Sequence, residues 1–368
     1  MTYKVIMWGA GNFGVFALRQ IMMHPEMELV GLRVFTLAKD SKTAGEIAGM
    51  PNALGAHIVA TRDEDAIIAL EADAVVFMDS DRTLSDPRVP GTETYAMVDK
   101  MCRLLESGKN VVATTVVGMC HPPLFGPAVY DRIDAACRRG NTTMFTTGIE
   151  PGFMGDVLPL IFSSLSQEIT SIRTTQFLNY AHYHNLGTFN AYGFGRRPDD
   201  PRLANTAHSS RYLVAWEVVP HIVADGLGVK LDEVKLKTYV ETTDFAFDTF
   251  AGRVEPGTIA AHRLEVIGVV GGEDKIILEH ISRLHDDVAP NWPSMGKNRG
   301  GFRIVMEGVP RMVVDFEMGH MPERTPMAET GIGTACRAVN AIPYVVRATP
   351  GAKSVAELPM IIGKGALR

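Results

Sequence analysis

The run Val5-Ile6-Met7-Trp8-Gly9-Ala10-Gly11-Asn12-Phe13-Gly14 decides the fold. Its first four residues are continuously apolar and read as a buried strand. The next six are G-x-G-x-x-G, after which Phe16, Ala17 and Ile21 continue from Phe13 at helical spacing. Strand, glycine turn and helix in that order form the context in which this motif holds a dinucleotide. Gly9 permits the tight turn, and Gly11 lets the backbone approach a pyrophosphate. Gly14 lets helix pack on strand, and the helix N-terminus favours negative charge. Gly9, Gly11, Asn12, Phe13 and Gly14 are therefore the first cofactor-binding candidates.

Outward from that turn, short apolar runs at residues 28–35, 74–78, 111–113 and 143–146 alternate with helical patterns at 92–108 and 124–139. Such alternation predicts a Rossmann-type, doubly wound parallel sheet covered on both faces. After Gly148 the pattern changes. Residues 153–165 read as a helix and 203–224 as a helical insertion. Long period-two runs follow the first of these, at 169–180, 234–243, 258–270, 275–284, 302–307 and 312–316. These predict a second α/β domain with a mostly antiparallel sheet. Residues 289–301 read as a loop and 327–347 as a helix that returns to the first domain. The expected organisation is a dinucleotide-binding domain at 1–150, completed by a C-terminal helical segment at 325–368, and a substrate and dimerisation domain at 151–324.

Composition narrows the function. The chain has 368 residues, 46% hydrophobic and 21% charged, with a net charge of −6. It is long enough to bury a core, too apolar for disorder and too acidic overall for a basic nucleic-acid binder. The four cysteines form no CxxC pair, which disfavours a disulfide framework and a structural metal. The N-terminal run lacks a basic segment before its apolar residues, and no apolar run has the length of a membrane span. A cytoplasmic protein is expected, with no nucleic-acid or membrane partner.

Ligands in doubly wound sheets lie outside the carboxyl ends of the strands. At the end of the second strand, Gly31-Leu32-Arg33-Val34-Phe35-Thr36 carries no acid before Asp40. An NAD site usually places an acid there for the ribose hydroxyls. Its absence favours NADP over NAD, with Arg33, Thr36 and Lys39 as candidates for the 2′-phosphate. Asp79 and Thr114 follow two further strands. Glu150, in Gly148-Ile149-Glu150-Pro151-Gly152-Phe153, is a catalytic candidate on the loop that leaves the sheet, with Phe153 expected to open a helix toward the reacting groups. His182 is a second candidate, since imidazole exchanges a proton near neutral pH, and Tyr180 adds a hydroxyl beside it. His182 and His184 lack a third ligand, so no metal is assigned. Tyr192-Gly193-Phe194-Gly195-Arg196-Arg197 reads as a flexible aromatic-basic loop that closes over a ligand or contacts a second copy. Trp292, Met295 and Phe302 are candidate pocket apolars, with a core role as the alternative.

Several of these segments carry a resemblance. With the glycine turn, Gly148-Ile149-Glu150-Pro151-Gly152-Phe153, Asp156-x-Leu158-Pro159-Leu160, Gly193-Phe194-Gly195-Arg196, Gly308-Val309-Pro310 and the tail from Ala335 through Pro343, Pro350-Gly351 and Leu358-Pro359, the chain resembles the dihydrodipicolinate-reductase-like superfamily. Within it, the chain is similar to the 2,4-diaminopentanoate dehydrogenase and native amine dehydrogenase group. The resemblance implies a homodimeric NAD(P)H-dependent oxidoreductase acting on a C=O or C=N bond, with reductive amination of a small ketone or aldehyde. That group carries a glutamate shortly after the strand matching 111–113. Here the stretch is Thr114-Thr115-Val116-Val117-Gly118-Met119, without an acid. Glu150 and His182 are the expected replacements. A ketone–alcohol reductase and a non-catalytic NADP-binding sensor are the alternative functions.

Overall fold

The computed structural model describes residues 2–79, 87–205, 216–319 and 325–367. The chain divides into two compact units, Met1–Phe153 with Gly331–Arg368, and Met154–Thr330. The first contains β1 (Tyr3–Trp8), α1 (Gly14–Met23), β2 (Met27–Arg33), α2 (Ala44–Ala48), β3 (Ala60–Thr61), α3 (Glu64–Ala69), β4 (Ala74–Phe77), α4 (Glu93–Glu106), β5 (Asn110–Ala113), α5 (Arg132–Gly140) and β6 (Thr143–Thr146). The second contains α6 (Val157–Ser163), β7 (Glu168–Asn179), α7 (Leu186–Ala191), α8 (Val218–Leu227), β8 (Glu233–Thr242), β9 (Phe247–Thr249), β10 (Gly252–Val254), β11 (Ile259–Val270), β12 (Glu273–Arg283), β13 (Gly300–Val309) and β14 (Met312–Met318). The division falls within α9 (Pro326–Val345), and β15 (Gly351–Lys353) then belongs to the first unit.

In the first unit seven strands run in the order β15-β6-β5-β4-β1-β2-β3, and every pairing is parallel. All four residues of β4, and Val111, Val112 and Ala113 of β5, are buried. A strand covered on both faces has no solvent side, so it reads as an apolar run and not as an alternation. Helix α4 shows the complementary logic. Thr92 caps its N-terminus by accepting from the Tyr95 amide, while Met97, Val98, Met101, Leu104 and Leu105 recur at helical spacing and are buried. The strand order reverses direction between β1 and β4, which makes that point the switch crevice of a doubly wound sheet.

Several boundaries differ from the sequence expectation. The second strand ends at Arg33, before Phe35. The expected helix over 124–139 is broken at Gly126, whose φ is +56°, into a 3-10 turn, a π turn and α5. The tail is not wholly helical, because β15 pairs with β6 after Pro350. The helix expected from Phe153 begins only at Val157, whose amide bonds the Asp156 carboxylate. Gly152 and Gly155 are poor helix formers, and Gly152 has φ +114°, so the chain turns there. In the expected insertion, Leu203 lies in a 3-10 turn and α8 starts at Val218, while 206–215 lie outside the described residues.

The second unit is built on six strands ordered β14-β13-β7-β12-β11-β8. All pair antiparallel except β7 with β12. Registers set the two faces. Ile172, Thr174 and Gln176 of β7 stand beside Ile276, Leu278 and His280 of β12, and Leu264 of β11 also pairs with His280. This face carries α8: Val223 and Ala224 pack on Ile172, Ile276, Ile304 and Met306, with Leu158 and Phe162 of α6 against the same cluster. The alternate residues Arg173, Arg263, Glu265 and Glu279 occupy the opposite face as an ion network.

Candidate functional site

The glycine turn leaves β1 at the switch point. The Gly9 amide donates to the Arg33 carbonyl at 2.9 Å. Gly9 has φ +98°, and a Cβ there would meet the Met78 carbonyl oxygen at 2.5 Å. A Cβ on Gly14 would lie 2.0 Å from the Gly9 oxygen, whereas one on Gly11 would meet nothing within 4 Å. Two glycines are thus required by the protein's own packing. The third faces open space, the cradle a pyrophosphate needs, so the residues fit a dinucleotide. Asn12 is exposed on the turn. The Phe13 ring is held internally, since a Cβ on Gly331 would meet it at 2.6 Å. Lys39 Nζ donates to the Ala10 carbonyl at 2.5 Å and brings a positive charge to the turn.

The edge of β2 is rearranged relative to expectation. Arg33 is only 9% exposed, with its guanidinium 4.8 Å from the Phe35 ring centre and 5.7 Å from that of Trp8. Burial lowers its pKa, against the opposing pull of Glu64 and Asp79. Thr36 is exposed at the start of a 3-10 turn (Leu37–Lys39) and makes no side-chain capping bond there. Beside it stands Arg62, a residue absent from the sequence candidates. Its Nε donates to the Phe35 carbonyl at 3.2 Å, and its amide bonds the Asp40 carboxylate at 3.0 Å. It follows β3, a strand of two residues, too few to give a periodic signal. Asp79 is buried beyond β4 with its carboxylate 3.3 Å from Lys100 Nζ. Thr114 sits at the same edge, its amide on the Phe77 carbonyl.

Two loops complete this edge. After β5, Val116 takes a left-handed conformation with φ +53° and ψ +53°, uncommon for a β-branched residue. After β6, Glu150 lies in a wound turn: Thr147 Oγ1 donates to the Gly152 carbonyl at 3.2 Å and the Ile149 amide to Thr334 Oγ1 at 3.4 Å. The Glu150–Pro151 peptide is cis, and both Glu150 carboxylate oxygens are shielded from solvent. Phe153 is stacked under Arg337, 4.7 Å from its ring centre.

The second unit holds the other catalytic candidates. Tyr180 follows β7 directly, and its amide bonds the Arg283 carbonyl. Burial, and then the neighbouring Tyr192, raise its phenol pKa well above 10; Ser282 bonds the same hydroxyl. His182 and His184 are exposed and lie in the turn beyond β7, so they share no strand face. The Tyr192 to Arg197 segment is not an open loop. Tyr192 and Phe194 are each 2% exposed, ring contacts join both to Tyr180, and the Gly195 amide bonds the Ile259 carbonyl. Its aromatics belong to the core of this unit, which overrides the flexibility that its glycines suggest. Phe302 is likewise fully buried, while Trp292 and Met295 are half-buried in a loop that Arg283 pins through the carbonyls of Val288, Ala289, Trp292 and Pro293.

The structure thus gathers Gly9, Gly11, Asn12, Thr36, Lys39, Asp79, Thr114 and Glu150 on one unit, and Tyr180 and His182 on the other. Burial drives the Cys102 and Cys137 thiols up to about 11 and 12, away from nucleophilic chemistry. Among the described residues no group of three or more His, Cys, Asp or Glu is placed to hold a metal, and no helix is long and apolar enough to cross a membrane.

Comparison with known proteins gives a consistent picture. The model of the 2,4-diaminopentanoate dehydrogenase C-terminal domain matches residues 153–365. An amine dehydrogenase of Streptomyces virginiae is 31% identical, over 97% of this chain and 96% of its own. A 2,4-diaminopentanoate dehydrogenase of Acetoanaerobium sticklandii is 23% identical, over 97% and 93%. Among solved structures, an amine dehydrogenase from Mycobacterium smegmatis has a TM-score of 0.75 at 16% identity, covering 98% of this chain and 97% of its own, and shares the fold.

Proposed function

The chain belongs to the 2,4-diaminopentanoate dehydrogenase family and is an NAD(P)-dependent oxidoreductase, and from that premise we propose that it reduces the C=O or C=N bond of a small ketone or aldehyde with NADPH, reductive amination included. The names of its relatives support the amine half of this reading. One observation supports the choice of NADPH: the end of β2 offers Thr36, Lys39 and Arg62 around an edge where residues 31–36 contain no carboxylate. A 2′-phosphate there meets cations and a hydroxyl instead of repulsion.

A bound nicotinamide supplies the hydride. Gly9, Gly11 and the start of α1 would hold the cofactor's pyrophosphate, with Lys39 as a neighbouring charge. Reduction of a carbonyl carbon leaves an oxygen that must take a proton. Reduction of an iminium carbon gives a neutral amine directly, and a carboxylate beside the nitrogen would stabilise the charge it carries beforehand. Glu150 suits the second task, being a solvent-shielded carboxylate at the sheet's carboxyl edge. His182 suits the first, and Tyr180 stays protonated as a hydrogen-bond donor. We take the assembly to be a homodimer, which light scattering checks.

The test is NADPH oxidation across ketones and aldehydes, with and without ammonium. Ammonium-dependent turnover is expected, with Glu150→Gln lowering kcat by about 10²–10⁴ and leaving NADPH affinity nearly intact. Turnover without ammonium, lost in His182→Asn, replaces amination by ketone–alcohol reduction. Tight cofactor binding with no turnover favours the non-catalytic sensor. NADPH should bind more tightly than NADH, and Arg62→Ala should narrow the gap by about tenfold or more, the loss of one charged hydrogen bond. Equal affinity in the parent protein overturns the NADP reading.

A further inference from the structure

The helix-covered face of the six-stranded sheet is divided along its length. Its one end is apolar, with Ile172, Ile276, Ile304 and Met306 under α8. The other end carries Thr174, Gln176, His262, His280 and Ser282, which are buried without exception. Cross-strand registers place them side by side, Gln176 opposite His280, His262 opposite Ser282, and Thr174 opposite Leu278. Among the described residues neither ring nitrogen of His280 has a hydrogen-bond partner, and neither does the Thr174 hydroxyl. His280 is 2% exposed and Thr174 is 1% exposed. The ring centre of Trp216 lies 4.8 Å from that of His280, edge to face, and Tyr192 lies 5.0 Å from His262.

Buried polar groups in folded proteins are nearly always bonded, so two unpartnered ones on the same face of neighbouring strands call for a ligand or a water. We propose that this end of the face is a recognition subsite for an uncharged, oxygen-bearing substituent on the substrate's carbon chain, a hydroxyl above all. The proposal rests on the reading of the protein as a carbonyl or imine reductase.

The chemistry of the lining argues for that class. Burial pushes His280 down to about 3, so at neutral pH it offers one ring donor and one ring acceptor. A hydroxyl, itself donor and acceptor, matches such a group. Thr174 supplies a second hydroxyl for a bridging bond. Among the described residues, the strand positions around them on this face carry no Asp, Glu, Lys or Arg. Arg173, Arg263, Glu265 and Glu279 alternate with these residues along the strands and therefore point to the other side. A carboxylate or ammonium bound here would be desolvated without a counter-charge, which is costly. An aliphatic chain alone would leave both polar groups unpaired.

The test compares 4-hydroxy-2-butanone, 2-pentanone of the same heavy-atom count, and the anion acetoacetate, titrated calorimetrically into the NADP⁺-saturated protein. The hydroxyketone should bind about five- to tenfold more tightly than 2-pentanone, the range of one or two neutral hydrogen bonds. Acetoacetate should bind least. Thr174→Val exchanges an unpartnered hydroxyl for a methyl of the same shape, so it should fold as well as the parent and bring the two ketones within about twofold. His280→Phe should do the same. Histidine ring ¹⁵N shifts that respond to the hydroxyketone and not to 2-pentanone would place the contact. Equal affinities in the parent protein, or no binding of either ketone, mean that the seam holds only water and overturn the proposal. Turnover with NADPH and ammonium is read on the same samples. Selective binding without turnover leaves the subsite standing and overturns the proposed function, and turnover without selectivity does the reverse.

Discussion

The two sheets keep their polar chemistry in different places. In the parallel sheet β4 and β5 are buried apolar runs, and every candidate group lies where a strand ends: Gly9 and Gly11 after β1, Thr36 after β2, Asp79 after β4, Glu150 after β6. In the six-stranded sheet Tyr180 and His182 also follow a strand, β7, but further polar groups lie within the strands, on one face as Thr174, Gln176 and His280 and on the other as an ion network. Helices on both sides leave a parallel sheet no polar face, so function is confined to the rim. Long alternating strands impose no such limit, and a face can change from apolar to polar partway along.

The sharpest way to break this contrast is at the rim. Gly11→Val should remove NADPH binding, by at least about 100-fold, because a side chain would occupy the space the pyrophosphate needs. The fold should persist, since nothing lies within 4 Å of the added Cβ and Gly11 has no positive φ. Gly14→Ala makes the control: its Cβ would lie 2.0 Å from the Gly9 oxygen, so the fold itself should fail. Calorimetry with circular dichroism reads both. A Gly11→Val protein that binds NADPH normally would reduce the motif to a structural turn.

The same contrast decides what the residues disclose in one dimension. A rim motif is local: glycine spacing, strand and helix lie within Val5 to Ile21, and the acid-free end of β2 follows soon after. Arg62 stayed hidden because β3 is two residues long, and β15 because Gly351 to Lys353 is too short for any period. The polar seam could not be read at all. His280 and Gln176 meet only through the parallel pairing of β7 with β12, and a one-residue slip would have turned His280 to the other face. The reading of residues 192–197 as a flexible loop failed for a related reason. Glycines signal a turn, but they do not signal that Tyr192 and Phe194 will be covered.

A face-bound histidine also leaves a pH signature. His280 has an unfolded-state value near 6.5 and is driven down to about 3 by burial. Its folded value lies below its unfolded one, so its contribution is complete above about pH 6.5 and is lost as pH falls toward 3. Within that window the unfolded chain binds the extra proton, and stability falls with a limiting slope of about 1.4 kcal/mol per pH unit for this one group. His280→Gln should flatten the acid limb of a denaturant-melt series between pH 6 and 4 relative to the parent. Parallel limbs would show that His280 is solvated in the folded protein.

The smallest effect returns to the rim, at Val116. A left-handed conformation is costly for a β-branched side chain, on the order of 1–2 kcal/mol, and Val116 holds one at φ +53° in the loop after β5. Glycine adopts that conformation freely but loses about 0.5–1 kcal/mol through the greater freedom of its unfolded chain. The difference leaves Val116→Gly stabilised by roughly 0.5–1 kcal/mol, or about 1–4 °C in Tm for a unit of this size. Strained residues persist where surrounding structure over-determines them, and such places concentrate at functional sites. Val116 occupies the rim position at which its loop leaves β5, beside Thr114 and in the stretch that carries no acid. If the strain serves to hold this loop in place, Val116→Gly should raise Tm while lowering kcat about two- to tenfold at unchanged NADPH affinity, the pattern of lost positioning. A lower Tm would mean that the packing of the valine side chain outweighs its backbone strain. A higher Tm with full activity would mean that the strain is incidental to the chemistry at this edge.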